Sequence, residues 1–222
     1  MSLGCSSGGE LPVGVTQGGG VADPGPPSEP APNVIRLPFL VDDHFVPNGC
    51  FGDGYCTPAV LDVDSRGCID PPAAVQGVCR RYTYTPVTVG APGYEGYVGI
   101  LFQDVGPNGE SAIGKVPGVP VQAGAKRVTF WAWLGAGSLE VNFRAGGANN
   151  WDGVTDDKLP YRDTFGVPGD VMLDTEYRQV VIDLTGVTYH DVVSPFGWAI
   201  QTKELADPPA SIELYVADVR WE

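Results

Sequence analysis

"KRVTFWAWLGAGSLEVNFRAG", residues 126–146, decides the fold class. In its first half Val128, Phe130, Ala132 and Leu134 alternate with Thr129, Trp131 and Trp133. In its second half Leu139, Val141 and Phe143 alternate with Glu140, Asn142 and Arg144. A period of two sends successive side chains to opposite faces of a strand. Each half therefore reads as a strand with one apolar face for a core, and the Gly-Ala-Gly-Ser break between them reads as a turn.

Similar grammar recurs outward along the chain, in "NVIRLPFLVDD" (33–43), "RRYTYTPVTV" (80–89), "GYVGILFQ" (96–103), "RQVVIDLTG" (178–186), "FGWAIQT" (196–202) and "SIELYVADVRW" (211–221). Trp198 shares the phase of Phe196 and Ile200, which assigns it to the core. The chain of 222 residues holds 31 Gly and 21 Pro, and no stretch beyond a turn or two keeps a 3.6-residue period. Short strands with many turns and no helices predict an all-β fold, a two-sheet antiparallel β-sandwich. In the last strand Ile212, Leu214 and Val216 share a face, but the next apolar positions are Val219 and Trp221. Such a slip requires a bulge or a strand end. It falls at Ala217-Asp218 and brings a carboxylate to the edge of the core.

The formal net charge is -14, from 13 Lys and Arg against 27 Asp and Glu. A surface this acidic repels phosphate backbones, and no basic stripe offsets it, so nucleic acid is excluded as a partner. No run approaches the roughly 20 apolar residues of a membrane span. Residues 1–33 are rich in Gly and Pro: a flexible coil followed by a stiffer "DPGPPSEPAP" half, together a disordered tether. The sandwich domain is expected over 34–222. "MSLGCSSGG" resembles a bacterial lipobox, with Cys5 as the site of lipid attachment; the alternative is an unmodified Cys in a floppy tail. The expectation is a monomeric lipoprotein, extracellular or periplasmic, that touches a membrane only through that lipid.

Four further cysteines, Cys50, Cys56, Cys68 and Cys79, allow three disulfide connectivities. Sequence-local pairing, Cys50–Cys56 and Cys68–Cys79, is expected. Zinc is the rival, but Cys68 and Cys79 are widely spaced and no His is adjacent to either pair.

Catalytic signatures are sparse. His44 follows two carboxylates but no G-x-S-x-G elbow accompanies it, and His190 reads as a loop residue. A glycosidase needs two carboxylates across a cleft. Glu140 and Asp183 are the strand-borne candidates, and Asp183 is better read as closing its strand on the Thr185-Gly186 turn. The chain is therefore read as a non-enzyme. Ligand-binding chemistry is easier to find. Trp131 and Trp133 offer flat apolar surfaces for a sugar ring, Glu140, Asn142 and Arg144 on an expected neighbouring strand offer hydrogen bonds, and Tyr97 and Gln103 take the matching outward phase. Trp151, in "GGANNWDG", is an aromatic among turn residues. The competing reading makes Trp131 and Trp133 cross-strand pairs under a covering loop, with Arg144 paired to Glu140.

"PFLVDDHFVPNGCFGDG", "GKVPGVPVQAGAKRVTFWAWLGAG", "VNFRAGG", "VVIDLTGVTYHDVVSPFGWAI" and "LYVADVRWE", in that order, resemble the jelly-roll domain of secreted bacterial lipoproteins. That domain is similar to the galactose-binding-like sandwiches found as carbohydrate-binding modules. The resemblance implies a jelly roll, glycan binding as the role, and a structural calcium near the first and last strands. Its ligands would be Asp218 with Asp43 (or Asp42) and Asp53, although Ala217 stands where such relatives carry the first acidic residue. The bland alternative has Asp218 bonding backbone amides or an Arg at the bulge. Sequence thus points to a glycan-binding module, with a protein-binding surface lipoprotein as alternative and a β-sandwich hydrolase or lyase as a remote third.

Overall fold

The computed structural model describes residues 33–68, 71, 73–104, 114–148, 160–203, 205 and 207–222, without the side chains of Tyr55 and Cys56. Among the described residues fourteen strands run β1 Phe39–Leu40, β2 Val46–Gly52, β3 Leu61–Asp64, β4 Cys79–Tyr84, β5 Tyr97–Gln103, β6 Val119–Pro120 and β7 Arg127–Leu134, then β8 Leu139–Gly146, β9 Gly166–Pro168, β10 Val171–Leu173, β11 Arg178–Asp183, β12 Asp191–Val192, β13 Phe196–Gln201 and β14 Ile212–Trp221. One sheet has the order β11-β7-β14-β4-β3, with β1 also on β14. The other has the order β10-β8-β13-β5-β2, with β9 also on β8. Number the strands β4, β5, β7, β8, β10, β11, β13 and β14 from one to eight along the chain. The sheets then read 6-3-8-1 and 5-4-7-2, the double Greek key of a jelly roll.

Both halves of the 126–146 stretch are strands, but they do not pair. β7 lies in the first sheet and β8 in the second, so the turn between them carries the chain across the sandwich. Alternation records which face of a strand is apolar; it does not record which strand lies beside it. The apolar faces meet in the core. Phe130 of the first sheet packs between Phe143 and Phe196 of the second, with ring centroids 4.6 and 4.8 Å away. Trp198 is fully buried and meets Tyr82 of the opposite sheet edge-on at 4.8 Å. Interdigitation of this kind is how two sheets close a core about 10 Å thick.

The slip in the last strand is a bulge. Pairing of β14 with β7 shifts register between Ala217 and Arg220. Asp218 sits there at φ 55, the left-handed region that Asp and Asn tolerate better than other side chains. Its N–H donates to the Val78 carbonyl at 3.0 Å. Val219 and Trp221 then enter the core on the new phase, and β1 pairs with β14 beyond the bulge, Phe39 opposite Trp221. The first strand is shorter than its sequence suggests. Pro38 removes a ladder donor just before it, and Val41–Asp43 wind into a single 3-10 turn.

Cys68 and Cys79 form the expected disulfide. It closes a strap over the outer face of the first sheet, where Cys68, Val75 and Cys79 pack on Trp133, Tyr215 and Ala217. Cys50 is also disulfide-bonded, but the side chain of Cys56, its expected partner, lies outside the described residues, as do Cys5 and Trp151. No helix among the described residues is long and apolar enough to cross a membrane.

Candidate binding faces

The residues expected to share one binding face stand on two opposite faces. Trp131 and Trp133 of β7 face outward from the first sheet; Tyr97, Gln103, Glu140, Asn142 and Arg144 face outward from the second. This corrects the expectation that β7 and β8 are neighbours.

On the second sheet the strand register lays out a trough. Asn142, Ala199, Gly99 and Phe51 follow one another across β8, β13, β5 and β2. Met172 faces Glu140 between β10 and β8, and Gln201 faces Tyr97 between β13 and β5. Small residues occupy the two central strands: Ala199 makes the low point, and the Phe51 ring packs over Gly99. Polar side chains and Met172 rise on one side, and the rings of Tyr97 and Phe51, 6.2 Å apart, rise on the other. The absence of a side chain at Gly99 is required: a Cβ there would stand 2.2 Å from Phe51 Cζ. A cavity of about 440 Å³ opens on the polar side, lined by Ser138, Leu139, Glu140, Asn142, Met172, Gln201 and Leu205. Glu140 is exposed and Asn142, Arg144 and Tyr97 are partly so. Gln103 is not available to a ligand from solvent: it is 2% exposed, and its amide atoms have no hydrogen-bond partner among the described residues. Alternation placed it outward correctly, but the row it occupies is covered. Next to it Leu101 is sealed by Ala148, Val193 and Phe51.

The cover over that row is held by Asp163, a residue without any distinguishing sequence signal. Its buried carboxylate accepts the backbone N–H of Val193 at 2.7 Å, Ala148 at 2.8 Å and Ser194 at 3.2 Å. Burial pushes its pKa up to about 7, against the backbone amides of Val193, Ala148, Ser194 and Gly147, which favour the ionised form. One carboxylate thus ties two loops onto the sheet beside the trough.

On the first sheet the covering-loop reading holds for Trp133. It is 5% exposed, stacked on Tyr215 across the strands at 5.0 Å with rings 1° from parallel, and met edge-on by Tyr177. Trp133 is therefore a structural residue beneath the strap, which corrects its expected role as a sugar platform. Trp131 is left half-buried at the margin of the strap. It borders a cavity of about 330 Å³ with Ala74, Gln76, Thr129, Gln179, Asp218, Arg220 and Glu222.

The three carboxylates expected to hold calcium do not converge. Asp53 sits at the Tyr84 end of β4 and Asp218 opposite the Cys79 region at the other end, while Asp43 is exposed in the turn after β1. Among the described residues no three His, Cys, Asp or Glu side chains gather as a metal site. Asp53 is fully buried and its oxygens are already engaged. It accepts the Tyr84 hydroxyl at 2.6 Å and the backbone N–H groups of Val87, Glu95 and Gly96 at 3.1, 2.6 and 2.7 Å. Burial by itself would raise its pKa; these donors outweigh burial and hold it below the ordinary value. Asp218 receives Arg220 Nε at 2.9 Å and Nη2 at 2.8 Å on one oxygen. Asp53 and Asp218 do not share an ion; Asp42, the alternative to Asp43, lies near Asp218 but is paired with Arg80, and the arginine partner considered for Asp218 is observed. The carboxylates weighed for hydrolysis are also apart: Glu140 is on the second sheet, whereas Asp183 is on the first and accepts the Thr185 N–H at 2.8 Å.

No protein-family model matches the chain, and no curated protein matches it by sequence. Solved structures similar to it are carbohydrate-binding modules. The family 11 module from Clostridium thermocellum, in complex with a β-1,3-1,4-mixed-linked tetrasaccharide, is 11% identical over 80% of this chain and 94% of its own, with a TM-score of 0.43. The family 30 module of a Clostridium thermocellum cellulosomal cellulase is 12% identical over 78% and 86%, at 0.39. A family 29 module variant is 7% identical over 83% and 91%, at 0.35. The jelly roll of this chain rests on its own strand order.

Proposed function

We propose that this chain is a non-catalytic glycan-binding module, whose ligand lies along the trough on the outer face of the second sheet. The observation that supports this reading is the trough's composition. Ala199 stands between the polar side chains of Asn142, Gln201 and Glu140 on one side and, on the other, the rings of Tyr97 and of Phe51, which packs over Gly99. Sugars present C–H faces that pack on apolar surface and hydroxyls that both donate and accept. A shallow site with rings on one wall and amides on the other meets both needs. The polar groups stand on strands, so little order is lost when a ligand is gripped.

The module would act outside the cytoplasm, where the Cys68–Cys79 disulfide persists, and be held to a membrane by a lipid on Cys5. Affinity electrophoresis through gels containing soluble β-glucan, xylan, mannan or pectin tests the ligand class. Retardation by at least one polysaccharide is expected; unchanged migration in all of them would remove the glycan reading. Mass spectrometry of the protein expressed behind a lipoprotein signal peptide in a lipoprotein-processing bacterium tests the anchor. A diacylglyceryl adduct on Cys5 is expected, and an unmodified thiol would remove it.

A further inference from the structure

We infer that the sandwich carries a second saccharide site, on the face opposite the trough, in the cavity beside Trp131. This rests on the glycan reading for its ligand class but on different residues. The strap closed by Cys68–Cys79 packs on Trp133 and Tyr215, leaving them 5% and 9% exposed, and Tyr177 adds an edge-on ring over Trp133. Trp131, at the strap's margin, is covered only in part. Trp131 keeps part of its indole open to the cavity, and Ala74 and Gln76 of the strap form the cavity wall.

The other side chains around the indole are polar and held in place. Gln179 stands directly opposite Trp131 across β11 and β7 and is exposed. Arg220 forks onto one oxygen of Asp218, while Glu222 takes the Arg127 guanidinium at 2.6 Å and the Thr129 hydroxyl at 3.2 Å. These pairs fix charged donors and acceptors along one border of a cavity whose opposite border is a flat ring. Two opposite charges already matched to each other favour a neutral ligand rich in hydroxyls over a free anion or cation. At about 330 Å³ the cavity suits a single pyranose or a chain end. Sites on both faces would let one module bridge two glycan chains, so avidity on an insoluble polysaccharide would exceed affinity for a soluble fragment.

The test follows the indole N–H resonances of ¹⁵N-labelled protein while glucose, galactose, mannose and N-acetylglucosamine are added singly at millimolar concentrations. The Trp131 resonance is assigned by its loss in Trp131→Phe. We expect at least one of these sugars to move it, and the double variant Gln76→Ala/Gln179→Ala to weaken that response about tenfold. Both substituted glutamines are exposed, so the fold survives their loss. Asn142→Ala, in the trough, is expected to leave the response intact. No shift with any of the four sugars, or a shift undiminished in the double variant, would overturn the second site. Failure of the trough reading would instead show as polysaccharide retention that Asn142→Ala leaves unchanged, in the presence of an intact Trp131 response.

Discussion

Ala199 of β13 stands directly opposite Gly99 of β5, and the ring of Phe51 fills the space a side chain on Gly99 would need. The trough floor and its aromatic wall are therefore one packing arrangement. Gly99→Ala should displace Phe51 and meet the Trp198 carbonyl, 2.7 Å from the new Cβ. Overpacking of this kind costs about 1–3 kcal/mol. Chemical denaturation should show that loss, with weaker polysaccharide retention in the same variant. Wild-type stability would mean that the ring is free to move.

Asp53 fastens the turn after β2 to the start of β5 and to Tyr84. Its pKa is depressed in the fold, so its contribution is present above the unfolded value of about 3.9 and is lost as pH falls through the folded one. Thermal melts should accordingly show acid destabilisation below about pH 4. Asp53→Asn should lower stability at neutral pH by about 2–3 kcal/mol and flatten the acid limb. A variant as acid-sensitive as the wild type would assign that limb to other carboxylates.

Asp163 has the opposite sign. With its pKa raised to about 7, its contribution is complete below the unfolded value of about 3.9 and declines as pH rises through 7. Asp163→Asn removes the titration but sets an amide N–H₂ against backbone donors. We expect a less stable domain whose stability no longer falls between about pH 4 and 7. Hydrogen exchange at Ala148 and Val193 should quicken in the same variant, because their N–H groups lose an acceptor.

Replacing Cys68 and Cys79 by Ser should cost about 2–3 kcal/mol, the value for a short closed loop. It should also expose Trp133 and red-shift the tryptophan emission. A pure loss of stability with unchanged emission would show that the strap stays seated without its disulfide.

These relationships were unequally legible in the sequence. Alternation in 126–146 identified which residues of β7 and β8 face the core, because burial of an apolar face is a local property. It did not separate Trp131 from Asn142 onto opposite sides of the sandwich, since that depends on strand order, which is long-range. The slip at Ala217-Asp218 was readable as a bulge or a strand end, and the register shift between Ala217 and Arg220 makes it a bulge. β10 was missed because three residues, Val171–Leu173, carry too little pattern to stand out. Asp163 left no trace either: its partners are backbone amides, which any sequence supplies. Trp133 shows the limit of residue type as a guide. The same outward indole serves as a platform or a buried prop according to whether a loop crosses it.

The central claim is most directly tested by calorimetric titration of wild-type protein and the Asn142→Ala/Gln201→Ala variant with a polysaccharide that retards the wild type in a gel. Neither substitution touches the core, so the two proteins should melt alike. The trough account predicts that the double variant binds at least tenfold more weakly. Equal affinity in the two proteins would contradict it and move the glycan site off the second sheet.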